Sequence, residues 1–592
     1  MKLRKIYCNI PDIFGPVVFN DGLSLVIAEI RLPENQDKVT HNLGKTTLGQ
    51  LVDFCLLKKR HPKFFLFKHE DQFSDFIFYL EIEADSGEYI TIARSVRMAS
   101  KIGFLRTAAP LDDATEISPD DWDHTGLAFE RAKALLDAWL GLTALKPWDY
   151  RKMIGYLLRE QDDYSDVFQL GKFAGKHSDW KPFVAHILGL DAGIVADLYQ
   201  VRDQLDESNS RLQTLVREWG TADTDTTELD ALISLRENEL TRRQAAQDAL
   251  DFAESDAEVS EELVEDIEFR IASHNEERYL LQREVERISR SLEEESILFR
   301  PSEAERIFRE AGVVFGDQIR RTYEQLIEFN RQISSERSSA LRRELTLSKD
   351  RIETIDRGLS ELNETRASSL SYLRETETMQ KFRSLSQEIS TLEGQLGVLQ
   401  EKRKSAARLT TLRQDVREHE QSANALQTKV ERNIAASSTS KKSTFSVVRG
   451  YFSEIIHEVL HEDAILGARF NDSGGLDFYA EFLDAKGMAT SADRGTTYRK
   501  LMCIAFDLAI LRAHINVPFP RFVYHDGAFE ALERRPKENL LRVLRSYANL
   551  GLQPIVTALA GDLPSDGPID GEVVSMLHDE GPSGRLFRFE SW

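Results

Sequence analysis

The sequence predicts an α/β fold in which one globular domain is split in two by a long antiparallel α-helical coiled-coil hairpin. Three observations carry that expectation. Residues 1 to 190 and 437 to 592 mix short apolar runs with glycines, prolines and aromatics, whereas residues 193 to 436 hold one proline, Pro301, and are dominated by Glu, Arg, Leu, Ser and Gln. The middle stretch repeats residues three and four apart, the a/d spacing of a coiled coil. A Gly-Lys-Thr in the first globular stretch and an aspartate closing an apolar run in the last both fall at strand ends, in opposite halves of the chain.

The composition bounds the rest. A chain of 592 residues exceeds what one core holds. The net charge of −23, with 30% charged and 41% hydrophobic residues, is acidic but far from the composition of a disordered chain. It excludes a protein that coats nucleic acid with its whole surface and leaves room for a local basic patch. Cys8, Cys55 and Cys503 are the only cysteines and lie far apart, which excludes a disulfide framework and a CxxC metal pair and fits a reducing, cytoplasmic compartment. The start MKLRKIYCNIPDIFG lacks the apolar core of a signal peptide, and no apolar run reaches a membrane span, so no membrane association is expected.

The elements follow in order. LSLVIAEI reads as a buried strand, and TTLGQLVDFCLLKK as a helix with Leu48, Leu51, Val52, Cys55 and Leu56 on one face, so Gly44-Lys45-Thr46 sits where a helix begins. FIFYLEIEADSGEYITIARSV reads as a hairpin turning at Asp85, Ser86 and Gly87. Residues 191–297 form the outgoing arm, with a seam at Ile267, Ile271, His274, Arg278, Leu281, Val285, Ile288 and Leu292. Residues 318–436 form the returning arm, with seams at Leu341, Leu345, Ser348, Ile352, Ile355, Leu359 and Leu362 and at Leu385, Ile389, Leu392, Leu396 and Leu399. Pro301, Gly312 and Gly316 break the heptads in a tip at 298–317 that has no cysteine to hold zinc. Unbroken arms would reach roughly 160 to 180 Å at about 1.5 Å per residue. Symmetry about the tip puts residues near 281 opposite residues near 335. His274 and Arg278 set the register or loosen the coil. Beyond 437, GGLDFYAEFLD suggests a strand, TYRKLMCIAFDLAILRAHI a long helix, and RFVYHDGAF and PIVTAL two buried strands.

Three segments carry chemistry. A helix start that follows a strand and a glycine presents backbone N–H groups and the positive end of the helix dipole to an anion. There Lys45 supplies a point charge to phosphate and the Thr46 hydroxyl holds Mg²⁺, with Asn42, Gly44 and Thr47 lining the loop. Val39 stands where the phosphate-loop pattern has its first glycine, a residue that eases a tight turn. Asp526, at the end of RFVYHD, has two readings, the outer partner of Mg²⁺ or a turn aspartate before Gly527. Gly495, Thr496 and Thr497 open the long helix and either cap it or meet a phosphate.

In this order around a coiled-coil hairpin, these residues resemble the ABC-type P-loop ATPases of the SMC and RecN class over nearly the whole chain. HNLGKTTL looks like their Walker A, RGTTYRKLMCIAFDLAI sits at their signature helix, and FVYHDGAFEALE at Walker B and the D-loop. HNLGKTTLGQLVDFCLL, YRKLMCIAFDLAILRAHI and DYRKMIGYLLREQDDYSDVF are similar to the YydD-like branch, which carries a C-terminal domain of unknown function and occurs in bacteria, in part in defence-type operons. The resemblance implies ATP and Mg²⁺ as cofactors and Gln161 as the glutamine that contacts metal and water, unless it is an ordinary surface residue. It also implies a homodimer whose heads sandwich ATP across the Gly495-Thr496-Thr497 helix start of the opposite head.

The departures point to slow hydrolysis. Gly527 replaces the catalytic glutamate, Gly495-Thr496-Thr497 replaces Ser-Gly-Gly, and Thr557, Ala558 and Leu559 stand where the switch histidine is expected. Glu530 or His525 would then serve as the substitute base, and Gly527→Glu would raise the rate. The class implies a mechanochemical ATPase acting on DNA or on an effector protein from the same operon, in DNA maintenance or in anti-phage or anti-plasmid defence. The alternative is a nucleotide-gated coiled-coil scaffold, with little hydrolysis, that assembles a partner effector such as a nuclease.

Overall fold

The computed structural model describes residues 1–32, 43–171, 175–219, 226–250, 257–298, 317–371, 377–484, 486–490, 495–565 and 567–589. Val39, Asn42 and the tip residues Pro301, Gly312 and Gly316 lie outside the described residues. Two compact units result, Met1–Gln204 with Glu420–Trp592, and Leu205–His419.

The strands of the first unit, in chain order, are β1 (Lys2–Cys8), β2 (Val17–Val18), β3 (Ser24–Glu29), β4 (Ile77–Glu83), β5 (Tyr89–Ser95), β6 (Lys101–Thr107), β7 (His124–Ala128), β8 (Leu158–Arg159), β9 (Asp463–Phe470), β10 (Leu476–Leu483), β11 (Phe522–His525), β12 (Gln553–Leu559) and β13 (Val573–His578). β9 and β10 pair with each other as a hairpin. Five strands form a parallel sheet in the order β13-β3-β12-β11-β8. Here β3 lies between two strands from the far end of the chain, with Ala28 opposite both Leu559 and Leu577. Neither half of the sequence can make this sheet alone. The reason lies in composition. SLVIAE, FVYH and PIVTAL are buried along nearly their whole length, and a strand apolar on both faces is stable only inside a sheet covered on both sides.

A second sheet, β2-β1-β4-β5-β6-β7, is antiparallel throughout and comes from the N-terminal half. Its Arg94 is fully buried and donates to the carbonyls of Phe54, Lys58 and Ala99, while the guanidinium lies 4.1 Å from the Phe54 ring centre. Tyr150 and Arg151 both donate to the Leu56 carbonyl. The helix Lys45–Cys55 has no basic residue in its last turn, and these three side chains satisfy carbonyls that its end leaves open. Arg94 of the second sheet, with Tyr150 and Arg151, thereby fixes the C-terminal end of the helix Lys45–Cys55.

In the second unit, the helix Ala257–Leu298 runs against Asp317–Ser371, and Thr226–Asp248 against Glu377–Thr439. Glu268 pairs with Arg366, Glu277 with Arg351, Arg278 with Asp356 and Arg243 with Glu388. From Arg243 through Glu268 to Glu277 the partners run back from Glu388 through Arg366 to Arg351, so the arms are antiparallel. Every expected seam residue is buried or half-buried, and Ile267, Ile271, Ile355, Leu359 and Leu362 form one cluster with Leu281 against it. Each buried Ile or Leu contributes about 1.5 to 3 kcal/mol, while exposed ion pairs contribute about 1 kcal/mol or less. The apolar seam therefore holds the coil. The register corrects the sequence expectation, because the neighbourhood of Leu281 faces the turn ending at Arg351 and not residues near 335. Symmetry about a proline says where a chain turns, whereas seam packing decides which residues meet. Seam residue His274 lies opposite Gly358, with Nε2 3.8 Å from where a Cβ would stand. Among the described residues no helix is long and apolar enough to cross a membrane.

Candidate functional site

The site is built where β3, β11 and β12 end. Strand alternation sorts the residues of β11. Tyr524 and Asp526 point toward the helix Lys45–Cys55, and His525 points the other way. Gly49 lets that helix approach, since a Cβ there would stand 2.7 Å from the Tyr524 ring, and the Tyr524 hydroxyl donates to the Lys45 carbonyl at 2.8 Å. Gly44 precedes the helix with a φ of 105°, and a Cβ on it would fall 2.4 Å from Leu586 Cβ, so glycine is required twice over.

Around this frame six side chains converge. Thr46 Oγ1 donates to Asp526 Oδ2 at 2.5 Å. Thr557 donates to the other oxygen, Oδ1, and accepts the Gly527 N–H at 2.9 Å. Lys45 Nζ lies 2.8 Å from Glu530 Oε1, and Gln161 Nε2 donates to Glu530 Oε2 at 3.0 Å. Thr47 follows on the same helical turn, half-buried. Behind the loop, Lys500 donates to the carbonyls of Gly527 at 2.9 Å and Glu530 at 3.1 Å, which ties the segment after β11 to the helix Thr496–Ala513.

Asp526 is fully buried. Burial pushes its carboxyl above the ordinary range. The hydrogen bonds from Thr46 and Thr557 and the charge of Lys45 act against that rise, and Glu530 adds to it. Burial also lowers the Lys500 ammonium, against the pull of Glu530 and Asp526. Among the described residues no group of three His, Cys, Asp or Glu could hold a metal ion. The donor set does fit Mg²⁺, since a hydroxyl and a carboxylate are hard oxygen ligands and Mg²⁺ usually takes its remaining ligands from phosphate and water.

The sequence candidates divide. Gly44, Lys45, Thr46, Gln161, Asp526 and Glu530 are brought together, and Asn42 lies outside the described residues. His525 is corrected: it is fully buried, on the opposite face of β11, with Nε2 3.1 Å from Asp507, and cannot act as a base at this site. Asp507 also receives Arg159 at 2.6 and 2.9 Å, and Arg159 donates to the carbonyls of Asp163, Asp166 and Val167. Burial pulls the Arg159 guanidinium down, but Asp507 outweighs it and the net shift is upward. Burial lowers the His525 imidazole. Gly527 is corrected as well. Its φ is +66°, and a Cβ there would stand 2.8 Å from the Glu530 carboxyl and 3.1 Å from Gln161 Nε2, so a glutamate at this position would sit on a strained backbone and displace Glu530. Gly495 and Thr496 are exposed at their helix start, and Thr497 Oγ1 lies 3.5 Å from the Ala531 carbonyl. Thr557, Lys500 and Tyr524 were not among the sequence candidates. A threonine in the strand PIVTAL was the only cue to the first.

A family model described as an uncharacterised protein conserved in bacteria, DUF2326, matches residues 455–591. No curated protein matches the chain. Among solved structures, the Smc head domain with a coiled coil and joint from Pyrococcus yayanosii is 13% identical with a TM-score of 0.35, covering 94% of this chain and 92% of that one. The Smc head domain with an extended coiled coil from Pyrococcus furiosus, bound to the C-terminal domain of ScpA, is 11% identical with a TM-score of 0.32, covering 98% and 93%. Likenesses at these values carry no functional argument.

Proposed function

We propose that this chain binds ATP with Mg²⁺ and is an SMC- and RecN-like mechanochemical protein of the YydD-like branch, whose heads dimerise around nucleotide and move the coiled coils. The observation that carries this reading is the meeting of Thr46 and Asp526, from opposite ends of the chain, at 2.5 Å beside Lys45. Lys45 and the N–H groups after Gly44 would bind the phosphates, and Thr46 and Asp526 would hold the cation. Glu530 is the proposed general base and Gln161 its positioning partner. The exposed start at Gly495, Thr496 and Thr497 would meet the nucleotide of a second copy. Hydrolysis is slow in this reading, and the target is DNA or an effector protein, in DNA maintenance or in defence. The second reading, a nucleotide-gated scaffold with little turnover, is favoured by one contact: both Glu530 oxygens are engaged, by Lys45 and Gln161, which leaves the carboxylate poorly placed to accept a proton. Equilibrium binding of ATP and steady-state turnover, for wild type, Lys45→Ala and Glu530→Gln, with and without DNA, test both. Binding lost in Lys45→Ala with turnover lost in Glu530→Gln supports the ATPase. Binding without turnover in wild type supports the scaffold, and unchanged binding in Lys45→Ala refutes both.

A further inference from the structure

We infer that the C-terminal segment Asp579–Phe589 is a working part of the phosphate loop, a strap that grips both of its ends, with Asp579 and Leu586 as positioning residues. The inference rests on the nucleotide reading above for what the loop binds. The strap follows β13, which pairs with β3, the strand that enters the loop. At the loop's entry, Asp579 is buried and its Oδ1 accepts the backbone N–H groups of Arg31 at 2.8 Å and Leu32 at 3.2 Å. Glu580 receives the Arg31 guanidinium at 2.9 Å. At the loop's exit, the Leu586 N–H donates to the Leu43 carbonyl at 3.1 Å. The Leu586 side chain, itself buried, occupies the space that a side chain on Gly44 would need.

The strap is anchored independently of the loop. Phe587 packs against Phe14 at 5.1 Å and Phe73 at 5.0 Å, and the Arg588 N–H donates to the Ile13 carbonyl. A Cβ on Gly584 would stand 2.4 Å from the His578 carbonyl oxygen, so the turn that brings Leu586 back to the loop depends on that glycine. A carboxylate that accepts two adjacent backbone N–H groups fixes their direction. A backbone bond at Leu43 with a leucine seated on Gly44 fixes the residue whose left-handed conformation starts the helix.

The test uses the full chain with Asp579→Ala, Asp579→Asn and Lys45→Ala. Two quantities are read: affinity for a fluorescent ATP analogue with Mg²⁺, and amide hydrogen exchange over Leu43–Leu48 without nucleotide. Asp579→Ala is expected to lower affinity roughly tenfold or more and to speed exchange over Leu43–Leu48, with the exchange of β4–β6 unchanged. Asp579→Asn keeps a carbonyl oxygen for the two N–H groups and is expected to recover most of the affinity. A purely structural strap would lower the melting temperature in all Asp579 variants alike and leave affinity untouched, and that result overturns the inference. If wild type binds no nucleotide, the ATP reading fails, and the exchange measurement judges the strap by itself: unchanged exchange in Asp579→Ala overturns it. Should Asp579→Ala not fold, Leu586→Ala with Asp579→Asn reads the same two quantities.

Discussion

Placing a side chain at position 527 is the sharpest perturbation of this site. Gly527→Ala adds one carbon, and the structure says what it meets: the Glu530 carboxyl carbon and Oε2 at 2.8 Å and Gln161 Nε2 at 3.1 Å, on a backbone with φ +66°. The left-handed conformation costs an L-residue about 1 to 2 kcal/mol. Relief of the contact moves Glu530, which holds Lys45 at 2.8 Å and Gln161 at 3.0 Å. A hydrogen bond to a charged group contributes about 1.5 to 3 kcal/mol, so the total cost to the ordered site is roughly 3 to 5 kcal/mol, shared between stability and function. If Glu530 is the base, its displacement removes help worth about 10²- to 10⁴-fold. Gly527→Ala and Gly527→Glu are both expected to lower turnover at least about tenfold, and Glu530→Gln to lower it comparably. The assay is phosphate release at saturating ATP and Mg²⁺, with thermal unfolding in parallel. A Gly527→Glu variant that turns over faster than wild type, with Glu530→Gln unaffected, would refute the assignment and restore the expectation drawn from the sequence motif.

Asp526→Asn is expected to abolish Mg²⁺-dependent binding while keeping or raising the nucleotide-free melting temperature, because it removes a fully buried charge; calorimetry with and without Mg²⁺ checks both. Burial raises the Asp526 carboxyl, so in the folded protein it takes up its proton at a higher pH than an ordinary aspartate. Mg²⁺-dependent affinity should therefore fade as pH drops through that raised value, and affinity that stays level across it would refute the role of Asp526. Asp507→Ala is expected to destabilise by about 3 to 5 kcal/mol, since it strands the buried Arg159, whereas His525→Asn should leave turnover within a few-fold; a hundredfold loss there would return His525 to the site. In the coil, cysteines at Glu277 and Arg351 should crosslink within one chain, and cysteines at Leu281 and residue 335 should not; the opposite result would refute the register.

What the sequence alone determined is what local pattern controls. Heptad spacing identified the arms and their seam residues, continuous apolar runs identified the central strands, and a glycine-lysine-threonine placed Lys45 and Thr46 at a helix start. Each of these signals is written within a few turns of chain. Tertiary structure decided the rest, because it depends on residues that meet only after packing. FVYH is buried on both faces, so its pattern could not say that Asp526 turns toward Thr46 while His525 turns toward Asp507. Glu530 and Gln161 were plausible singly, and only the fold put one carboxylate between Gln161 and Lys45. Thr557 looked like the absence of a histidine until β12 settled beside β11 and set its hydroxyl against Asp526. The conformation that strains any side chain at position 527, and the strap that holds Leu32 and Leu43, come from a sheet whose neighbouring strands begin at opposite ends of the sequence.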